Sequence, residues 1–381
     1  MEIKNFLPAQ YTQTNQLEIN HNYLEQQFSD CEEIWLKIRD VVIRGDFTLG
    51  SDVDLLEKEF AAFNGVKHGI GVGSGTDALF LSLKALGVDN GDEVITTPFT
   101  FYATIGAIVT SGAKPVFCDA GEDFNIDPRQ IEAKITSATK AIVPVHWSGK
   151  PCDMDAIERI ATKYNLAVVS DACHAINARY KGRSSGSLGN VSCFSFHPLK
   201  NLNVWGDGGI IATDSDVIAD RLRLLRNHGL AGRDECRVFA YNSRLDTIQA
   251  VVARHLMTKI EAITNSRVRN SRYFDEQLAA IAQIVVPARD PDIFQVFHIY
   301  SILCERRDEL QRYLIANGVD AKVHYPTPMH LQPAASFLGH TVGDFPVAER
   351  LARQTLSLPV HEFITDAQQV RVVNLIKAFY G

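Results

Sequence analysis

The sequence has little of what would carry a protein out of the cytoplasm or onto nucleic acid. Its apolar runs fall short of the ~18 residues that a membrane span requires, and residues 1–10 have neither the basic start nor the long apolar core of a signal peptide. No block of Lys or Arg occurs, the formal net charge is -7 and the pI is near 6.0. That balance argues against a nucleic-acid partner and against a polybasic membrane patch. The seven cysteines, at Cys31, Cys118, Cys152, Cys173, Cys193, Cys236 and Cys304, are odd in number. They show neither metal-ligand spacing nor a disulfide frame and read as reduced fillers of a core. Internal repeats and low-complexity segments are missing too. The glycine-rich stretch 69–75 lacks the lysine of a P-loop and the full dinucleotide fingerprint, which disfavours nucleotide cofactors. These absences leave a cytoplasmic protein that works on small molecules.

What is present is a chain of 381 residues, 46% hydrophobic, long enough for one large core and a smaller domain. Helical periodicity covers 23–42, 55–63, 155–164 and 216–225, with a loop at 226–233 and a long helical region running to 278. Apolar runs at 94–97, 115–118, 141–146, 166–170 and 191–196 read as buried strands. Strands alternating with helices in this rhythm imply a largely parallel sheet covered on both faces. After 278 the pattern changes. Strands at 294–304 and 319–323, a helix at 308–317 and a last helix boxed by Thr365 and Gln368 make a small α+β domain. The expected division is an arm or helix over 1–50, a large domain over 51–255 and a small domain over 256–381.

One stretch stands out for chemistry. Lys200 follows the strand 191–196 on a turn broken by Pro198, five positions after Ser195, and precedes Gly206-Asp-Gly-Gly209, where backbone can approach a flat cofactor. A desolvated lysine of lowered pKa forms Schiff bases with aldehydes, and pyridoxal phosphate is the obvious aldehyde. That cofactor also demands a carboxylate for its ring nitrogen, an anion site and a flat neighbour. Asp171, at the end of the strand 166–170, is the candidate carboxylate, with a capping aspartate as the competing explanation. Ser74, Gly75 and Thr76 open a helix whose N–H groups suit a phosphate, although an ordinary capped glycine turn looks the same. An aromatic cluster at 98–102 follows a strand end and offers a ring to stack. His174 is within reach of a phenolic oxygen, or is a satisfied core histidine.

Taken together the motifs resemble the DegT/DnrJ/EryC1/StrS sugar aminotransferases, within the aspartate-aminotransferase superfamily. They are Gly-Ser-Gly-Thr at 73–76, Thr-Pro-Phe-Thr-Phe at 97–101, Gly-Ala-Lys-Pro-Val-Phe at 112–117 and Asn-Ile-Asp-Pro at 125–128. Further on come Asp-Ala-Cys-His at 171–174, Ser-Phe-His-Pro-Leu-Lys-Asn at 195–201, Gly-Asp-Gly-Gly at 206–209, Tyr-Asn-Ser-Arg-Leu-Asp at 241–246 and His-Tyr-Pro at 324–326.

The resemblance implies an α/β protein, a fold type I PLP-dependent transferase with a mostly parallel sheet and a small α+β C-terminal domain. It implies that Lys200 carries the cofactor, Asp171 pairs with its ring nitrogen, His174 lies near its phenolic oxygen and Phe101 stacks on its ring. Ser74, Gly75, Thr76 and Ser195 match phosphate contacts. Asn242 matches a residue that reaches the phosphate of a neighbouring subunit, so a homodimer with shared active sites is implied. His324 and Tyr325 are the substrate-binding candidates. The implied reaction takes an amino group from glutamate, through pyridoxamine phosphate, to a nucleotide-linked keto-sugar in amino-sugar biosynthesis, with no metal. One departure is visible: His146-Trp-Ser-Gly149 stands where many nucleotide-sugar members read His-Leu-Tyr-Gly. The alternatives are a sugar dehydratase of the same family, which carries histidine where this chain has Lys200, and a non-catalytic PLP-binding regulatory relative, which would have lost Lys200 or Asp171.

Overall fold

A computed structural model describes residues 17–381, so residues 1–16 of the expected arm, and with them the reading of residues 1–10, lie outside the described residues. The centre is a seven-stranded sheet whose strands, in chain order, are β1 (His68–Val72), β2 (Glu93–Thr96), β3 (Lys114–Phe117), β4 (Thr139–Ile142) and β5 (Ala167–Asp171). A short hairpin of β6 (Arg179–Tyr180) and β7 (Arg183–Ser184) intervenes before β8 (Val191–Ser195) and β9 (Gly209–Thr213) complete the sheet. The spatial order is β1-β9-β8-β5-β4-β2-β3. Neighbours from β8 to β3 are parallel, while β9 is antiparallel to both β8 and β1. It follows that β1 runs in the same direction as β8. Alternate residues serve opposite faces, as strand geometry requires. Phe194, Ile210 and Ala212 pack with Val53, Leu56 and Phe60, whereas Cys193 and Ile211 pack with Leu79 and Leu83 on the other side. Continuous burial of β9 is the mark of a strand covered on both faces.

The remaining strands are short. β10 (Leu230–Gly232) and β11 (Glu235–Cys236) form a hairpin inside the stretch expected to be loop. β12 (Ile284–Val285), β14 (Tyr300–Cys304) and β15 (Thr355–Leu358) make a second sheet, and β13 (Ile293–Phe294) pairs with β6. Phe274, Leu310, Leu314, Val372 and Ile376, from three helices, pack against Ile302 and Leu356 of the small sheet. The last of these helices, Asp366–Tyr380, opens with the expected box of Thr365 and Gln368.

Several expected boundaries move, each for a local reason. The helix expected over 23–42 is two, Leu24–Gln27 and Glu32–Arg44. The long region to 278 splits into Thr247–Met257 and Ile260–Leu278, where the Thr258 hydroxyl donates to the His255 carbonyl at 2.7 Å and caps the first. The strand expected over 294–304 is interrupted at Phe297, whose φ of 49° is left-handed. Residues 319–323 hold no strand, only single bridges from Val319 to Ile19 and from Lys322 to Ser357. A helix at Pro346–Gln354 was not anticipated. Its start is capped by Asp119, whose carboxylate accepts the N–H groups of Val347 at 2.9 Å and Ala348 at 2.8 Å across 228 and 229 residues of sequence. The cysteines are all free thiols, and four of them, Cys118, Cys152, Cys193 and Cys304, are buried as expected, but Cys236 is exposed.

A buried ion pair ties the outer edge of the sheet to its flanking helices. Glu57, from Ser51–Asn64, accepts the Gly71 N–H at 2.8 Å and pairs with Arg226, whose Nη1 also donates to the Gly71 carbonyl at 2.8 Å. Glu57 and Arg226 are 8% and 6% exposed, so removing one partner leaves the other charge desolvated. Glu57→Ala is therefore expected to lower unfolding free energy by about 3–5 kcal/mol, measured as a shifted midpoint in urea with the slope unchanged.

Candidate active site

Because β1, β5 and β8 run in one direction, their C-terminal ends share an edge, and ligands of open α/β sheets bind at such edges. β1 leads through Gly73 to Ser74, which caps the helix Gly75–Ala85 by accepting the Asp77 N–H at 3.0 Å. The N–H groups of Gly75 and Thr76 stand at the positive end of that helix with no partner inside it. Gly75 is there for space: a Cβ would lie 2.6 Å from the Cβ of Ser195. Glycine alone lets the helix start this close to the end of β8.

The end of β5 supplies Asp171, only 5% exposed. Its Oδ2 accepts from the Thr104 hydroxyl at 2.8 Å, which in turn is 2.8 Å from the Thr100 hydroxyl, and its Oδ1 accepts the Cys173 N–H at 3.2 Å. No α-helix begins after Asp171, so the competing view of it as a helix cap loses its helix. His174 accepts the Ser148 N–H on Nδ1 at 3.3 Å, and its ring centroid lies 4.4 Å from that of His298. Burial and then the charge of Lys200 hold its pKa well below the usual range, which leaves a neutral ring with its proton on Nε2.

Lys200 ends a turn in which its N–H donates to the His197 carbonyl at 3.0 Å and Leu199 is left-handed at φ 74°. Burial lowers the pKa of its amine, partly offset by Cys173 and Asp171. Ser195 accepts the His197 N–H at 3.2 Å and so shapes the same turn. Phe101, 51% exposed, precedes the helix Tyr102–Thr110, and its ring lies 6.1 Å from that of Tyr325. His324 shares a hydrogen bond of 2.8 Å with the Ser357 hydroxyl, and burial pushes its pKa down to about 3.

All of Ser74, Gly75, Thr76, Phe101, Asp171, His174, Ser195, Lys200, His324 and Tyr325 line one cavity of about 400 Å³. Asn242 does not. It is exposed and bridges to Asn227 outside the cavity. The divergent His146 and Trp147 do not line it either: both are buried, and Trp147 stacks on Phe124 at 4.4 Å. Sequence reasoning missed Thr104, Tyr23, His21, Arg267, His298 and Lys322, which also line the cavity. Thr104 carried a readable signal, being one helical turn from Thr100. Arg267, 2% exposed in the middle of a helix, carried none.

The model of the DegT/DnrJ/EryC1/StrS aminotransferase family matches residues 29–377. A "pleiotropic regulatory protein" of Geobacillus stearothermophilus is 43% identical over 361 residues, 94% of this chain and 97% of that protein. The dTDP-3-amino-3,4,6-trideoxy-alpha-D-glucose transaminase of Streptomyces venezuelae is 40% identical over 338 residues, covering 88% and 89%. Among solved structures, S. venezuelae DesV in complex with a ketimine intermediate superposes with a TM-score of 0.93 at 38% identity, covering 95% of this chain and 98% of that one.

A lowered lysine pKa means that the free amine is present at a pH where ordinary lysines are still protonated. An amine-selective acylating reagent applied to ligand-free protein across a pH series is expected to reach half-maximal modification of Lys200 below the pH for surface Lys67. Peptide mapping gives the two curves.

Proposed function

The chain belongs to the DegT/DnrJ/EryC1/StrS aminotransferase family, and on that premise we propose that it moves the amino group of glutamate onto the keto carbon of a nucleotide-linked sugar in amino-sugar biosynthesis. It is a pyridoxal-phosphate enzyme that passes through the pyridoxamine form. The residues present fit that group: an amine, a buried carboxylate and a bare helix N-terminus face one cavity of suitable size. That convergence is the observation that carries the reading.

When bound, the cofactor supplies an electron sink for the carbon that loses a proton. The remaining work belongs to the protein. The N–H groups of Gly75 and Thr76, with the hydroxyls of Ser74 and Ser195, hold the phosphate. Asp171, held by Thr104 and the Cys173 N–H, keeps the ring nitrogen protonated. Phe101 covers the ring and His174 Nε2–H serves the phenolic oxygen. Lys200 holds the cofactor between turnovers and, once released, carries the proton on Nζ. His324 and Tyr325, on the wall opposite the helix start, are the substrate contacts.

We divide the chain into the arm ending at 50, a cofactor-binding domain over 51–255 and a small domain over 256–381, each with its own packed sheet or helices. The homodimer reading is supported by exposed apolar side chains, with Leu36 at 61%, Ile43 at 71% and Phe239 at 99%, the last three residues from Asn242. Free thiols throughout favour the cytoplasm, and among the described residues no helix is long and apolar enough to cross a membrane. A dehydratase is disfavoured by Lys200 itself. A purely regulatory relative would have no use for keeping both Lys200 and Asp171.

Two experiments test this. Asp171→Asn removes the charge that protonates the ring nitrogen, and turnover with glutamate and a keto-sugar is expected to fall by ~10²-fold or more while the fold survives. Near wild-type turnover with cofactor bound would remove Asp171 from this role. For the shared site, Lys200→Ala and Asn242→Asp, each inactive alone, are mixed and allowed to exchange subunits. Half the dimers are then mixed and half of their sites are intact, so activity is expected to recover toward about a quarter of wild type. Verified exchange without recovery would place Asn242 in its own chain's site.

A further inference from the structure

The segment before the first helix reaches the Lys200 turn from the side of the small sheet. Ile19 bridges to Val319, and the His21 N–H donates to the Asp320 carboxylate at 3.2 Å. Two residues later comes Tyr23, 2% exposed. Its ring stacks on that of His361, with centroids 5.0 Å apart and planes at 25°, and the Arg267 guanidinium lies 5.0 Å over it. The hydroxyl ends between two carbonyls, 3.0 Å from that of Leu199 and 3.2 Å from that of Lys200.

Those carbonyls belong to a turn that needs holding. Leu199 has a φ of 74°, a conformation an L side chain leaves unless its surroundings over-determine it. Lys200 is fixed on both sides, by its own N–H to His197 and by the Asn203 side-chain amide, which donates to its carbonyl at 2.9 Å. Among the described residues no donor other than Tyr23 reaches the Leu199 carbonyl.

We infer that Tyr23 is a positioning residue for Lys200, its hydroxyl clamping the main chain of Leu199 and Lys200 so that the left-handed turn keeps the amine inside the cavity. The inference rests on the reading of Lys200 as the lysine that carries the cofactor. Burial drives the phenol pKa upward, so the hydroxyl is a donor at every working pH. The titratable neighbours of Lys200, namely Asp171, Cys173, His174, His298 and His324 from other segments and His197 in the turn itself, are unchanged when the phenol is altered.

The test is Tyr23→Phe, which removes the hydroxyl and keeps the ring between His361 and Arg267. Wild-type and variant holoenzyme are converted by glutamate to the pyridoxamine form, which frees Lys200, and are then acylated across a pH series and mapped. In the variant the half-maximal pH for Lys200 is expected to rise by about one unit, because an amine that swings toward water regains ordinary lysine basicity. Turnover falls about tenfold with KM for both substrates unchanged, since binding groups stay in place and only the proton carrier is misplaced. The melting temperature is expected to match wild type. An unchanged half-maximal pH, or a loss of turnover that tracks a falling melting temperature, would overturn the inference. If borohydride fixes the cofactor of the wild-type enzyme onto another lysine, the assignment of Lys200 has failed, and the inference falls with it before any variant is made.

Discussion

The cavity depends on how closely the helix Gly75–Ala85 can begin against the ends of β8 and β9. Two glycines permit it. A Cβ on Gly75 would meet Ser195, and a Cβ on Gly209 would lie 2.5 Å from the Ser74 carbonyl oxygen. With both side chains absent, the helix start, the Ser195 hydroxyl and the Lys200 turn fall within one pocket radius. An added methyl on either side would separate the phosphate-binding N–H groups from the amine, because packed backbone yields far less readily than the tip of a flexible side chain.

The second constraint is electrostatic. Charges in the cavity wall come with partners: Arg267 faces Glu362 at 3.3 Å, and Lys322 faces Asp320 at 2.7 Å. The histidines are held neutral by burial, His21 down to about 4 and His324 down to about 3, so none adds a proton at neutral pH. Deep in the cavity the balance is therefore set by Asp171 and Lys200, with Asp207 at the rim. Such an arrangement suits chemistry that shuffles a single proton, because each transfer is felt against a quiet background.

Much of this was legible in the sequence where a local pattern and a site requirement coincided. The strand ends at Asp171 and Ser195, the helix start at Ser74 and the turn at Lys200 are each announced by short-range signals, and the structure gathers them into one cavity. What stayed hidden has in common a long reach. Asp119 caps a helix more than two hundred residues away, Tyr23 stacks on His361, and Arg267 turns inward from mid-helix; periodicity cannot report a partner so distant. Boundaries went astray where one residue overrode a smooth pattern, as the left-handed Phe297 and the Thr258 cap both did. Asn242 was singled out by motif alone, and a single chain offers it no pocket to line.

The placement of β9 has a further consequence. Since β8 and β9 are hydrogen-bonded neighbours, with Ser195 opposite Gly209 and the Phe196 N–H bound to the Gly208 carbonyl at 2.8 Å, the segment carrying Lys200 leaves the sheet and returns to it at the same rung. Its tip is mechanically a pendant. Exchanging the residue there alters no register and no strand order, so natural selection can trial a different reagent on a finished scaffold, one codon at a time, without first paying in folding.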